Sequence, residues 1–230
     1  MTNPSMTTAS RVIGLFAKWP APGRVKTRLA AETSPEWAAQ VARAFLLDLL
    51  DRLAPLTYRR LLAFAPPEAA AGFAEIAAGR FELVPQSDGD LGRRMAAFLQ
   101  RQLDAGAEAV VLLGSDSPHV PVELIDQAFR ELAANDVVLG PAADGGYYLL
   151  GIARRLPPIF ADIPWGTSQV LARTLARLEH RRHALLLPWF DVDTLADFRQ
   201  LQADLRDMVQ RGIDPELPRT RALGEPEISA

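Results

Sequence analysis

The chain has no cysteine in 230 residues. That absence excludes disulfides, zinc–thiolate sites and thiol catalysis, and it is compatible with a reducing cytoplasm, where the protein is expected to reside. There is no surplus of positive charge: the formal net charge is −3, so no global basic field exists to attract nucleic acid. No apolar run approaches the ~20 residues a membrane span requires. Residues 1–10, MTNPSMTTAS, lack the apolar centre of a signal peptide and read as a disordered leader. Internal repeats, low-complexity tracts and linkers are missing, as is any Ser–His–Asp or nucleophile-elbow pattern. What remains, 49% hydrophobic and 23% charged residues, suits one globular domain with a substantial core. The expected organisation is a single domain over 11–211 and a surface-hugging tail over 212–230, rich in Pro, Glu and Arg.

Apolar β-type runs alternate with helical patterns. Strands are expected at Val12–Ala17, Leu61–Ala65, Phe81–Pro85, Ala109–Leu113, Val137–Leu139, Tyr147–Ile152 and Ala184–Leu187. Ser34 and Pro35 open a helix to about Leu53, and Asp90 caps one from Leu91 to Ala105. Further helices are expected over Pro67–Ala78 and Pro121–Ala134, from Thr167 or Ser168 to about Leu178, and from Asp193 or Thr194 to about Val209. The alternation indicates an α/β fold with a largely parallel sheet covered on both faces. Asp144-Gly145-Gly146 before Tyr147 suggests a local antiparallel insertion.

In such sheets ligands bind beyond the carboxyl ends of the strands. The first strand runs into KWPAPGRVKTRL, Lys18 to Leu29, where Lys18, Arg24, Lys26 and Arg28 surround a turn containing Pro20, Pro22 and Gly23. Such a turn suits phosphates, although a basic turn is also the ordinary form of a solvated loop. It is not a Walker loop, because Val25 and not glycine precedes Lys26-Thr27. Asp116 follows the all-apolar fourth strand between small residues; it is open to a metal role or to capping the next helix, and the metal role is preferred. Asp144 could bind a hydroxyl or a metal, or form an Asp-Gly turn. Asp191 and Asp193, at i and i+2, point the same way in extended chain; Asp193 is chosen for the site, with helix capping as the alternative. Trp165, beside Gly166 and the hydroxyls of Thr167 and Ser168, could line an acceptor pocket or be buried before a helix cap. His180 and His183 are read as helix-end cations and not as a metal pair, and His119 has no identifiable partner.

These clusters, in this order, resemble the DUF2064 family, described as glycosyltransferase-A-like and related to 2-phospholactate guanylyltransferases. The matching runs are Phe16-Ala17-Lys18 with Pro22 to Leu29, Asp90 to Met95, Gly114 to Pro118, Gly140-Pro141 with Asp144 to Tyr148, Pro164 to Ser168, and Asp191 to Thr194, together spanning about residues 11 to 205. The resemblance implies the nucleotide-diphospho-sugar transferase fold, a three-layer α/β/α sandwich around a mixed, mainly parallel sheet. It implies that Lys26 and Arg28 bind nucleotide phosphates, with Lys18, Gly23 and Arg24 nearby. Asp116 would ligate Mg²⁺ or Mn²⁺, with Asp193 as second ligand. The Leu91-Gly92 turn would approach the base, with Gln86 a further candidate. Asp144, Gly145, Gly146, Tyr147, Trp165 and Thr167 would face the acceptor.

Glycosyltransferases of this fold typically carry Asp-X-Asp after the central strand, whereas Gly114-Ser115-Asp116-Ser117 holds one Asp. That favours a nucleotidyltransferase, in which a phosphorylated small-molecule acceptor attacks the α-phosphate of a nucleoside triphosphate and releases pyrophosphate. The alternatives are a glycosyltransferase using a nucleotide-sugar and a non-catalytic nucleotide-binding module. Neither nucleic acid nor a membrane is an expected partner; a homodimer is compatible with this reading.

Overall fold

The computed structural model describes residues 10–226, so the expected leader lies, apart from Ser10, outside the described residues. In chain order the elements are β1 (Arg11–Lys18), α1 (Thr27–Glu32), α2 (Pro35–Leu53), β2 (Arg59–Ala65), α3 (Ala70–Ala77), β3 (Glu82–Pro85), α4 (Leu91–Asp104) and β4 (Ala109–Gly114). There follow α5 (Val122–Glu131), β5 (Val137–Pro141), β6 (Tyr147–Ala153), α6 (Val170–Ala176), β7 (His183–Leu185), α7 (Leu195–Gln210) and α8 (Pro218–Arg221). No helix among the described residues is long and apolar enough to cross a membrane.

The seven strands form one sheet in the order β3-β2-β1-β4-β6-β5-β7. All pairings are parallel except those of β6, which lies antiparallel between β4 and β5. This is the α/β sandwich with a mixed, mainly parallel sheet that the alternation predicts, and β6 is the antiparallel insertion expected after Asp144. Period-2 geometry explains the all-apolar strands. Ile13, Leu15, Val111 and Leu113 pack in the core with residues of α2, α3 and α5. Val12, Val110 and Leu112, on the opposite face, pack with Met95 and Phe98 of α4. Gly14 is required there: a Cβ would stand 2.5 Å from the Phe98 ring, so its absence lets α4 lie close on the sheet.

The caps explain most helix starts. Ser34 accepts from Trp37 N at α2, with Pro35 in the first turn, and Asp90 accepts from Arg93 N at α4. At α7, Thr194 and Asp197 form a reciprocal capping box, which leaves Asp193 outside the helix and resolves the choice between them. Two expectations need correction. Helix α6 begins at Val170 and not at Thr167 or Ser168: the Thr167 hydroxyl donates to the Pro164 carbonyl at 2.8 Å and accepts from Gln169 N at 3.3 Å, in the turn that precedes the helix. Strand β7 stops at Leu185, leaving Leu187 exposed.

A third apolar cluster joins α1, α2 and α7 and includes Leu217 beside α8. Asp48, fully buried on α2, accepts from the backbone N–H of Arg219 and Thr220 and from the Arg219 guanidinium. A buried carboxylate satisfied by N–H groups is costly to delete, because those donors are left unpaired. We expect Asp48→Ala to lower stability by about 2 kcal/mol and to make residues 212–226 the first site of cleavage in limited proteolysis. Unchanged cleavage order would show that α8 is held by its apolar contacts alone.

Candidate active site

A cavity of about 480 Å³ opens at the carboxyl ends of the central strands. Its wall includes Lys18, Arg24, Lys26, Arg28, Gln86, Leu91, Asp116, Asp144, Gly146, Tyr147, Trp165, Thr167 and Asp193, so one cleft gathers residues expected from every motif.

The turn after β1 sets the cationic wall. Lys26 adopts φ 44°, an unusual backbone for a side-chain-bearing residue, at the entrance to α1. This directs its ammonium inward, where Nζ donates to Asp116 Oδ1 at 2.6 Å and to the Val192 carbonyl at 2.7 Å. Nζ also lies 4.8 Å from the centroid of the Phe45 ring. The Lys26 side chain is 2% exposed and that of Asp116 is 50% exposed. Lys26 is therefore a buried tie between three chain segments rather than a free cation at the mouth. Lys18, Arg24 and Arg28 are exposed on the wall. Arg28 Nη1 stands 3.7 Å from Asp193 Oδ2.

Carboxylates face these cations. The Asp116 carbonyl accepts from Val192 N at 3.0 Å, drawing the segment after β7 against the segment after β4. Asp191 receives a hydrogen bond from the Ser117 hydroxyl. Burial pushes the Asp191 carboxyl up to about 7 against that hydrogen bond, and the charges of Asp116, Asp144 and Asp193 add to the rise. Burial and Asp116 also raise Asp193, while Lys26 and Arg28 pull it down. Anionic oxygens thus outnumber the cations that meet them. The described residues contain no cluster of three or more His, Asp or Glu placed to hold a metal by themselves. Asp116 and Asp193 instead fit a Mg²⁺- or Mn²⁺-type ion that takes one or two carboxylates and fills its sphere with phosphate oxygens and water. Both members of the i, i+2 pair line the cavity, so Asp191 joins the chosen Asp193.

On the opposite side, Asp144 Oδ1 accepts from Gly146 N at 2.8 Å, forming the expected Asp-Gly turn while still lining the cleft. The Tyr147 hydroxyl is shielded from solvent, and burial raises its pKa against the opposing effect of the Thr174 hydroxyl. Three glycines assigned to the site are not among the wall residues, and each has a backbone reason. Gly23 (φ +71°) shapes the turn. At Gly145 (φ +89°) a Cβ would meet the Ser168 carbonyl at 2.2 Å. At Gly92 a Cβ would meet Trp165 Nε1 at 2.4 Å, so this glycine admits the indole. The roles of Gly92 and Gly145 are therefore in packing around the site.

Gln86 lines the cavity with its amide already engaged. Its Nε2 donates to the Ala63 carbonyl at 2.7 Å and to the Ala17 carbonyl at 3.3 Å. Its Oε1 accepts from Arg94 Nη1 at 3.0 Å. Arg94, which no sequence argument singled out, lines the cavity. The available signal was its place one helical turn beyond the Asp90 cap, within the Asp90–Met95 run. His180 and His183 fall near the amino end of β7, away from the cleft.

Residues 50–167 match the family model described as "Uncharacterized protein conserved in bacteria (DUF2064)". The 3-phospho-D-glycerate guanylyltransferase of Phenylobacterium zucineum (strain HLK1) is 35% identical over 167 residues, covering 69% of this chain and 70% of that protein. A crystal structure from Desulfovibrio desulfuricans G20, assigned as a nucleotide-diphospho-sugar transferase, is 33% identical with a TM-score of 0.84, over 92% of this chain and 94% of that one. A cytidylyltransferase from Leptospira borgpetersenii shares the fold at 14% identity, with a TM-score of 0.60 over 94% of this chain and 100% of its own.

Proposed function

The chain belongs to the DUF2064 family, and from that membership we propose that it is a metal-dependent nucleotidyltransferase joining a nucleoside monophosphate to a phosphorylated small-molecule acceptor. The observation that carries this reading is the convergence, in one cleft, of the β1 cation turn with Asp116 and Asp193. The guanylyltransferase relative supports the reaction class and makes GTP and 3-phospho-D-glycerate the first substrates to test.

In this mechanism an oxygen of the acceptor phosphate bonds to the α-phosphorus while the bond to the bridging oxygen breaks, and the electron pair leaves with pyrophosphate. A phosphate nucleophile is already ionised near neutrality, so no general base is required. Asp116 and Asp193 would hold a Mg²⁺ or Mn²⁺ ion, which would supply neutralisation of the phosphate charge. Lys26 fixes the Asp116 carboxylate from the buried side. Arg28, with Lys18 and Arg24, faces the charge that gathers on the departing pyrophosphate. Asp144, Tyr147, Trp165 and Thr167 form the acceptor side.

Purified protein with GTP, 3-phospho-D-glycerate and Mg²⁺ or Mn²⁺ is expected to release pyrophosphate and to stop on chelation. A panel of other triphosphates and phosphorylated acids extends the test if that pair is inert. Release of a nucleoside diphosphate from a nucleotide-sugar would instead identify a glycosyltransferase, and metal-dependent binding without any turnover would identify a binding module.

A further inference from the structure

We propose that Arg94, locked by Gln86, selects the nucleobase by donating two hydrogen bonds to a base edge with two adjacent acceptors, as guanine presents through O6 and N7. The proposal rests on the nucleotidyltransferase reading and adds the residue that sets base preference.

Gln86 follows β3, and its amide is committed on every side. Both donor contacts go to main-chain carbonyls of β1 and β2, and the oxygen accepts from Arg94 Nη1. An amide held in this way cannot rotate to offer donors to a ligand, so Gln86 is a positioning residue. The guanidinium it holds keeps one edge free. Arg94 Nε is shielded from solvent and has no hydrogen-bond partner, and Nη2 has none among the described residues. Nε–H and Nη2–H lie parallel on one edge of the planar group, the fork that pairs with two neighbouring acceptors. A shielded donor without a partner is unfavourable unless a ligand satisfies it.

The surroundings indicate what the ligand is. Leu91, Met95 and Phe16 line the same cavity and supply apolar surface for a flat ring. Gln86 is anchored to the carbonyl of Ala17, the residue just before the cation turn, and Asp116 follows β4 on the far side of β1. In the order of the strands, the cation turn after β1 and Asp116 after β4 come between β3, whose following residue Gln86 holds Arg94, and β6, and this order assigns Arg94 to the nucleoside side. An arginine fork matches guanine O6 and N7 but meets the N6 amino group of adenine donor to donor.

The test measures binding of GTP, ITP, 7-deaza-GTP and ATP, each with Mg²⁺, to the full chain, to Arg94→Met and to Gln86→Leu, with thermal melting as the folding control. The native protein should bind GTP and ITP alike and ATP roughly tenfold to a hundredfold more weakly, with 7-deaza-GTP between them. Arg94→Met should erase the GTP-over-ATP preference and leave the GTP-to-ITP ratio unchanged, and Gln86→Leu should reduce the preference in part. If Arg94→Met fails to fold, the analogue series on the native chain still decides: 7-deaza-GTP binding as tightly as GTP overturns the proposal. It is also overturned if Arg94→Met keeps the preference and raises only the acceptor KM. In both cases pyrophosphate release by the native protein would leave the nucleotidyltransferase reading intact. Native protein that binds no triphosphate would remove both.

Discussion

Asp116→Ala is expected to reduce turnover by at least about a hundredfold to a thousandfold and, unlike Lys26→Met, to destabilise the protein measurably. The asymmetry comes from burial. Lys26 is 2% exposed and Asp116 is 50% exposed, with 2.6 Å between Nζ and Oδ1. Removing Asp116 leaves a buried ammonium with the Val192 carbonyl and the Phe45 ring but without its paired anion. Breaking a fully buried pair in this direction costs about 3–5 kcal/mol; the half-exposed carboxylate reduces this to about 2 kcal/mol, a fall in Tm of roughly 4–8 °C. Removing Lys26 with an apolar side chain of similar length takes away the buried charge itself and leaves a carboxylate that water can reach. Its stability should stay within about 1 kcal/mol of the native protein, while turnover still collapses because Asp116 loses its anchor. The double variant Asp116→Ala/Lys26→Met should recover the Tm lost by Asp116→Ala and stay inactive. Equal melting temperatures for the two single variants would show that Lys26 does not carry a buried charge; normal turnover in either would remove Asp116 from the metal site.

His119→Phe is expected to stabilise the protein in acid and to be nearly silent above neutrality. The His119 ring lies 4.3 Å from the Phe190 ring and 5.3 Å from that of Trp189, and neither ring nitrogen has a hydrogen-bond partner. Burial, with a smaller contribution from the Arg52 guanidinium, pushes its pKa down to about 3. The unfolded chain takes up this proton near pH 6.5. Between those values the unfolded state binds more protons than the folded state, so stability falls as the pH falls through this window. By pH 5 the loss is about 2 kcal/mol, from roughly 1.5 pH units at ~1.4 kcal/mol each. Phenylalanine fills the same aromatic niche and cannot be protonated. Urea denaturation at pH 7.5 and pH 5 should show the variant gaining about 2 kcal/mol on the native protein between the two conditions. Parallel losses in both proteins would mean that His119 is protonated in the folded state at pH 5.

Local rules were readable wherever one segment carries its own answer. Ser34 with Pro35, Asp90 and Thr194 cap the helices that their side chains suggested. Thr167 misled because its hydroxyl closes the turn from Pro164 to Gln169 ahead of the helix, while Ser168 is packed against Gly145, a neighbour that no spacing rule reports. Lys26 was legible as a site residue but not as a buried one. Its partners are Asp116, 90 residues away, and Val192, 166 residues away. Gln86 was a candidate for the base only through the resemblance; its donors are taken by carbonyls of two neighbouring strands and its oxygen holds Arg94 at the cavity wall.

By itself the sequence determined the alternation of strands and helices, the antiparallel insertion, the family and the edge of the sheet where the chemistry gathers. Hydrophobic periodicity, capping and turn chemistry act over a few residues and are therefore written in the order of the chain. Only the tertiary structure decided which cation is buried, that Asp191 shares the cleft with Asp193, that Gly92 and Gly145 serve close packing, and that Arg94 has a hydrogen-bonding edge with no protein partner among the described residues. Burial, charge crowding and unmet hydrogen bonds depend on which distant segments meet, and that is settled by strand order and side-chain packing rather than by local pattern.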